Sequence, residues 1–365
     1  MSSSPSHHLE EISLSGYKSI RELKDFKMTH GLNVLIGANG SGKTNFIRFF
    51  ELLGHLFDTN KGLQNYVAAR GRAEAFLFRG MKVTPELRAH LKFGRNEYKF
   101  TLKAADDRSF FFAQESAPYH GQWLTENEQG AGHPESHIAK FPSTAAKKWV
   151  LDTIRDWRVY HFHDTSPSAP VMGLCNVVDN DVLHGNAANL SAFLMKMANT
   201  EETKPHFLRI TETVRQVAPF FGEFVLKDVT PGQTQLLWKD RFSDLLYYPY
   251  QLSDGTLRYI CLATLLLQPK PPATIIIDEP ELGLHPYAIK LLASLLHEAA
   301  ESAQIIVSTQ ASLLLDELTP EQVIVVNQRN GESILERQDS AKLADWLKEY
   351  TLGQLWEKNE LGGLP

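Results

Sequence analysis

Hydrophobic and polar positions alternate in short blocks along this chain. Glu11 to Leu14 and Leu23 to Met28 read as two strands, the first turning at Gly16. Leu32 to Ile36 is a short apolar run and predicts a buried strand ending in a Gly-rich loop. After Lys43 the period changes. Phe46, Phe50, Leu53 and Phe57 recur on one helical face. Tyr98 to Leu102 and Ser109 to Phe112 predict paired strands around the Asp106-Asp107 turn. Residues 116–142 are polar and rich in Gly, Pro, His and Glu, which predicts a long surface loop. Thr144 to Trp157 is patterned as a helix, 185–218 as two helices parting near Lys204-Pro205, and 222–248 as strands. The last third predicts a helix over Gly255 to Leu267, a strand over Thr274 to Ile277 and a helix over Pro286 to Ala299, opened by its proline. Strands at Ile305 to Ser308 and Val323 to Val326 follow. Strand and helix in alternation predict an α/β fold with a parallel sheet. There is no internal repeat and no long heptad array, so no coiled-coil arm is expected.

Composition narrows the class. The 365 residues are 43% hydrophobic and 22% charged, which excludes wholesale disorder and implies about two domains or one with an insertion. Cys175 and Cys261 cannot make a disulfide framework, which points to a reducing, cytoplasmic setting. The longest apolar run, near Tyr259 to Leu267, is too short for a membrane span. Met1 to His8 has no apolar core and does not read as a secretory signal. The net charge of −6 is uneven. Residues 1–110 hold 17 Lys and Arg against 11 Asp and Glu, so an acidic whole can still own a basic face.

Chemistry first appears at Gly37-Ala38-Asn39-Gly40-Ser41-Gly42-Lys43-Thr44, which fits G-x-x-x-x-G-K-[ST] between a predicted strand and helix. Loop amides from Asn39, Gly40, Ser41 and Gly42 through Asn45 converge on phosphates at a helix N-terminus. Lys43 adds a point charge, and Thr44 offers a hydroxyl to Mg²⁺. The pattern predicts a nucleoside triphosphate with Mg²⁺. Thr274 to Glu279 is an apolar strand ending in two acids. Such acids face the ligand crevice of α/β sheets. Asp278 is expected in the Mg²⁺ shell and Glu279 as the general base toward water.

Leu252-Ser253-Asp254-Gly255-Thr256 opens the next helix, where Ser253 also suits an N-cap. The order of phosphate loop, Ser-x-Gly helix start and Asp-Glu strand resembles the ATP-binding-cassette (ABC) class. That resemblance implies Ser253 and Gly255 closing on the γ-phosphate held by a second copy, hence an ATP-dependent homodimer with composite sites. Gly16-Tyr17-Lys18-Ser19-Ile20, Gly31 to Gly37, and Pro280-Glu281-Leu282-Gly283-Leu284-His285-Pro286 resemble the RecF/SMC-like branch. The tail Leu352 to Asn359 with Gly362 to Pro365 resembles its stand-alone predicted ATPases of the AAA type, which lack a coiled coil. By that resemblance Lys18 and Ser19 line the base or ribose side. The class usually places a histidine where this chain has Gln310. A glutamine donates a hydrogen bond but carries no proton at neutral pH, so slow ATP hydrolysis is expected. The catalytic set is thus Glu279, Lys43 and Gln310. Gln64 is a candidate for the class's lobe-linking glutamine, against a plain surface role.

The expected architecture is a two-lobed ABC-type P-loop ATPase resembling a RecF/SMC head, with a largely helical insertion replacing the coiled coil. Its parts are an N-terminal lobe over 1–115, an inserted region over 116–240 and a C-terminal lobe over 241–365. Three outputs compete: an ATPase whose dimer grips duplex DNA in repair or anti-phage defence, a nucleotide-gated scaffold for a separate effector protein such as a nuclease or toxin, and a transporter subunit. Gly16 to Ile20 and Gln310 disfavour the last, and no membrane partner is expected. Arg70, Arg72, Arg79, Lys82, Arg88, Lys92, Arg95 and Lys99, interleaved with Phe76, Phe78 and Phe93, read either as a double-stranded DNA footprint or as a solvated face. His161-Phe162-His163-Asp164 puts two imidazoles on one face of a strand, which reads as a metal pair with no further ligand cluster nearby, or else as a structural or partner-facing element. No Ser-His-Asp or Cys-His arrangement stands out, and no second acidic cluster resembles a nuclease domain.

Overall fold

The computed structural model describes residues 8–58, 62–120, 124–125 and 131–363. The chain start before His8, the centre of the 116–142 stretch, and Leu364-Pro365 of the tail lie outside the described residues. β1 (Glu11–Tyr17) and β2 (Ile20–Lys27) form a hairpin. β3 (Leu32–Ile36) is buried at every position. It is followed by α1 (Lys43–Leu56) and α2 (Leu63–Ala69). Next come β4 (Glu86–Phe93), β5 (Asn96–Ala104), β6 (Phe110–Ser116) and the short β7 (Tyr119–His120) and β8 (Leu124–Thr125). Apart from β3 these strands make one antiparallel sheet, ordered β2-β1-β4-β5-β7-β8 with β6 against β5. β4 alternates, so that Leu87, Ala89, Leu91 and Phe93 are buried and share a core with α1.

The middle of the chain holds α3 (His137–Lys140), α4 (Ala145–Arg155), β9 (Arg158–Tyr160), β10 (Cys175–Asn176), α5 (Leu190–Asn199) and α6 (Lys204–Val217). The short strands β11 (Phe221–Phe224), β12 (Asp228–Thr230), β13 (Gln233–Thr234), β14 (Trp238–Asp240) and β15 (Leu246–Tyr247) follow. The last part holds α7 (Asp254–Leu266), β16 (Thr274–Asp278), α8 (Pro286–Ala299), β17 (Gln304–Thr309), α9 (Ser312–Leu315), β18 (Val323–Arg329), β19 (Glu332–Arg337), α10 (Ser340–Leu343) and α11 (Leu352–Glu357).

A second sheet, ordered β19-β18-β3-β17-β16-β9, is parallel except for the β18–β19 hairpin. Its central strands are apolar on both faces because both are covered. Val34, Ile275, Ile277 and Ile305 face the core built with α7 and α8. Leu35, Ile276 and Ile306 face the core shared with α1 and the antiparallel sheet. The expected α/β class and the two-lobed head hold.

The expected boundaries of the insertion do not match the sheet. β9, inside 116–240, pairs in parallel with β16 and is an edge strand of the central sheet. The region also carries short strands: β10, β13 and β12 form one three-stranded sheet, and β11 and β14 pair with β15, beyond residue 240, in another. Phe193, Ile210, Phe221 and Trp238 of this region join the same core as α7, since their apolar faces have no separate core to fill. The predicted surface loop is likewise partly packed. Glu115 is fully buried and accepts hydrogen bonds from Tyr98 Oη at 2.9 Å and Ser136 Oγ at 2.6 Å.

Candidate nucleotide site

Four parallel strands end at one edge of the central sheet. The register pairs Ile277 with Tyr160, Asp278 with Ser308 and Thr309 with Ile36. The loops that begin at His161, Glu279, Gln310 and Gly37 therefore leave the sheet side by side. This is the crevice where α/β sheets bind ligands.

The phosphate loop leads from β3 into α1, whose N-cap Gly42 has φ 110° and supplies no side-chain cap. The first amides of the helix thus keep free donors that favour an anion. Asn39 and Gly40 are exposed, Ser41, Gly42 and Lys43 buried, and Thr44 and Asn45 half-buried. Lys43 Nζ donates to the carbonyls of Gly37 at 2.6 Å and Ala38 at 3.0 Å. Burial lowers the Lys43 pKa, and the nearby Glu279, Asp278 and Glu281 carboxylates oppose that shift. The Ser41 hydroxyl is buried without a hydrogen-bond partner among the described residues. A Cβ on Gly37 would come within 2.4 Å of Val326 O, so the loop's first glycine is fixed by close backbone approach. Three outside contacts brace the loop: Ser333 Oγ to Ser41 O at 2.6 Å, Gln328 Nε2 to Gly40 O at 3.2 Å, and Ala38 N to Gly363 O at 2.6 Å.

Asp278 is buried at the end of β16 and accepts a hydrogen bond from Ser308 Oγ. Glu279 has φ 44°, a left-handed backbone that is costly for a non-glycine residue, and its amide donates to Ser308 O at 2.8 Å. The Gln310 amide donates to the Glu279 carboxylate. Gln310 thus orients the expected base from the neighbouring strand. Sequence reasoning missed Ser308 and Glu281. Glu281 is buried and accepts the Gln310 backbone N–H at 2.9 Å, so it fixes the start of the loop after β17.

Burial raises the Glu281 pKa, partly offset by the Gln310 N–H. A carboxyl with a raised folded value stabilises the fold below its unfolded pKa and loses that contribution as pH rises through the folded one. Glu281→Gln removes the titration, so the variant is expected to melt higher than the parent at pH 8 and not at pH 4. Thermal melts at both pH values check this, and an equal shift at both would contradict it.

Ser253 caps α7, accepting the Thr256 N–H at 3.2 Å, and stays exposed. Its capping role and an outward-facing hydroxyl coexist. Gly255 sits against the loop after the two acids: an added Cβ would come within 2.3 Å of Gly283 O. Arg258, one turn along, donates to Leu282 O and His163 O, each at 2.8 Å. These contacts tie the Ser253 helix to the Glu279 loop as one body. Gly255→Ala is expected to destabilise the fold by about 1–3 kcal/mol, because backbone rather than a flexible side chain blocks the methyl. Chemical denaturation reads this, and an unchanged midpoint would refute the close packing.

Ser19 lies at the loop: its hydroxyl accepts from Asn45 Nδ2 at 2.7 Å and donates to Ser333 Oγ at 2.7 Å, whose own proton goes to Ser41 O. Lys18 turns away from it: Nζ stands 5.1 Å from the Phe76 ring centroid and 3.4 Å from Ala75 O.

A family model described as "AAA domain, putative AbiEii toxin, Type IV TA system" matches residues 32–316, well over half of the chain. The chain belongs to the AAA_21 family. An OLD nuclease of Thermus scotoductus is 24% identical over 327 residues, which cover 82% of this chain and 58% of that protein. The chain therefore spans a little over half the length of that relative. An SMC head bound to the C-winged helix domain of ScpA aligns at 16% identity with a TM-score of 0.58, covering 92% of this chain and 99% of that one. An SMC head with an extended coiled coil, bound to the C-terminal domain of ScpA and derived from Pyrococcus furiosus, aligns at 15% identity with a TM-score of 0.56, covering 94% and 99%. The fold is that of an SMC-type ATPase head, and the expected RecF/SMC-like class holds.

In this AAA_21 chain the phosphate loop, Ser253, Asp278, Glu279 and Gln310 fall inside the matched region, whereas Lys18 and Ser19 precede it. Gln64 does not reach the crevice residues. Its amide donates to Phe110 O at 2.8 Å and Pro134 O at 2.6 Å, tying α2 to β6. The segment that meets the carboxylates is instead the turn after β9, because that strand ends beside β16. The basic stretch is largely engaged internally: Arg88 with Glu86, Lys92 with Glu11, Lys99 with Glu97 and Arg70 with Glu51, while Arg72 and Arg79 bind backbone carbonyls. Among the described residues no helix is long and apolar enough to cross a membrane.

Proposed function

We propose that this AAA_21 ATPase is a slow ATP-driven switch that closes as a homodimer on two ATP molecules and transmits that state to an effector protein. The convergence of phosphate loop, Asp278, Glu279 and Gln310 at one sheet edge carries the reading. The uncapped α1 terminus, the partnerless Ser41 hydroxyl and Lys43 fit a triphosphate. Thr44 and Asp278 would hold Mg²⁺, which neutralises phosphate charge when bound. Glu279, oriented by Gln310, accepts the proton of water. Ser253, exposed at the start of α7, with Gly255 beside it, closes on the partner's nucleotide. ATP then binds the closed dimer better than the open one and shifts the population toward it.

The output toward a protein is supported by the β14–β15 turn. Phe242 and Leu245 at its tip are 83% and 67% exposed, and Tyr250 beyond it is 63% exposed, just ahead of Ser253. Exposed large apolar groups at a hairpin tip fit a protein partner better than a phosphate backbone. A second reading, a clamp on duplex DNA in repair or anti-phage defence, rests on the likeness to a nuclease and on the 70–99 stretch. Duplex binding by the Glu279→Gln variant, with and without Mg-ATP at low and physiological salt, separates the two. ATP-driven dimerisation without DNA binding is the expected result. Binding that requires ATP and weakens steeply with salt favours the clamp.

A further inference from the structure

Asp164, next after His161-Phe162-His163, spends Oδ1 on the Ser166 amide and hydroxyl, but β9 and β16 run parallel and end at the same level. Ligand atoms of His161, His163 and Asp278 consequently lie within 4.8 Å of one another. We propose that these three side chains form a binding site for a divalent transition-metal ion at the edge of the nucleotide crevice.

The surroundings suit an ion. A cavity of about 10 Å³, room for roughly one water, borders His163 and Asp278 but not His161, and is closed by Phe162, Leu262 and Arg258. His161 Nε2 is held by Glu51 Oε1 at 2.6 Å. Glu51 is itself fixed by Tyr66 Oη at 3.1 Å. An imidazole tied to a carboxylate through one nitrogen offers the other to a metal with its orientation set. The ring of His163 makes no hydrogen bond among the described residues, while its main chain is fixed by Arg258 at 2.8 Å. Asp278 spends one oxygen on Ser308 and keeps the other. Nitrogen and oxygen ligands at about 2.0–2.2 Å from an ion stand roughly 3–4 Å apart, so small side-chain rotations close the set.

Ligand chemistry sets the class of ion. Two imidazoles and one carboxylate favour Fe²⁺, Co²⁺, Ni²⁺ or Zn²⁺ over Mg²⁺, which prefers an all-oxygen shell. Three protein ligands leave open positions for water or a phosphate oxygen. The site shares Asp278 with the proposed Mg²⁺ shell but needs no nucleotide to form.

The test uses the full chain without nucleotide, titrated with Co²⁺ and followed by its visible absorption, with Zn²⁺ as competitor. One ion per chain is expected, retained in excess Mg²⁺. His161→Gln and His163→Gln should each weaken binding at least about ten-fold, and Glu51→Gln by about 10- to 100-fold. Far-ultraviolet circular dichroism confirms that each variant is folded. Lys43→Ala should leave Co²⁺ binding intact while losing ATP, so failure of the metal site and failure of the nucleotide reading are told apart. Absence of Co²⁺ binding, displacement of Co²⁺ by Mg²⁺, or binding unchanged in both histidine variants would overturn the site.

Discussion

Replacing Glu279 by glutamine is expected to lower steady-state ATP turnover by about 10²- to 10⁴-fold, the range for loss of a positioned general base. The argument is geometric. Glu279 stands at the carboxyl end of β16 on a left-handed backbone, and Gln310 from the adjacent strand fixes its carboxylate. A strained backbone persists where its surroundings enforce it, and here they aim a carboxylate into the crevice. Glutamine keeps the volume and one acceptor but cannot take up a proton. Nucleotide binding depends on other groups, so ATP affinity should be little changed and the closed dimer should accumulate. Phosphate release and sedimentation with Mg-ATP measure the two quantities. Turnover within a few-fold of the parent would remove Glu279 from the role of base.

Lys43→Ala should weaken ATP binding by about 2–5 kcal/mol, roughly 30- to several-thousand-fold. The Lys43 ammonium is buried and donates to two loop carbonyls, with three carboxylates nearby. Once triphosphate enters, that ammonium is the buried positive charge expected to face it. Its loss leaves phosphate charge uncompensated beside Asp278, Glu279 and Glu281. Fluorescent-nucleotide titration reads the change, and ATP-driven dimerisation should vanish with it. Retained affinity would move phosphate recognition to the loop amides alone. Lys43→Ala and Glu279→Gln also oppose each other: one blocks closure, the other traps it.

Much of the central machinery was legible in the chain. Local patterns suffice where a function needs a particular backbone. Gly37 to Thr44 must turn a strand into a helix with converging amides, and only a narrow set of residues does that. Buried parallel strands such as Thr274–Asp278 must be apolar throughout, so their acidic ends stand out. Gln310 was legible as a departure from a pattern, but its bond to Glu279 was not, since the two follow different strands.

What the sequence by itself determined is therefore the set of chemically committed segments: the phosphate loop, the Asp278-Glu279 strand end, the Ser253 helix start and the α/β class. The tertiary structure decided how they meet. It placed β9 at the edge of the central sheet, which brought His161 and His163 to Asp278, and it tied Gln64 to Phe110 and Pro134. It set Glu281 against the loop after β17, drew Gly363 onto the phosphate loop, and matched most of the basic stretch with carboxylates or carbonyls. The physical reason is range. Turns, caps and periodicity act over a few residues and are written locally, whereas strand order and charge pairing are chosen by burial of the whole chain at once.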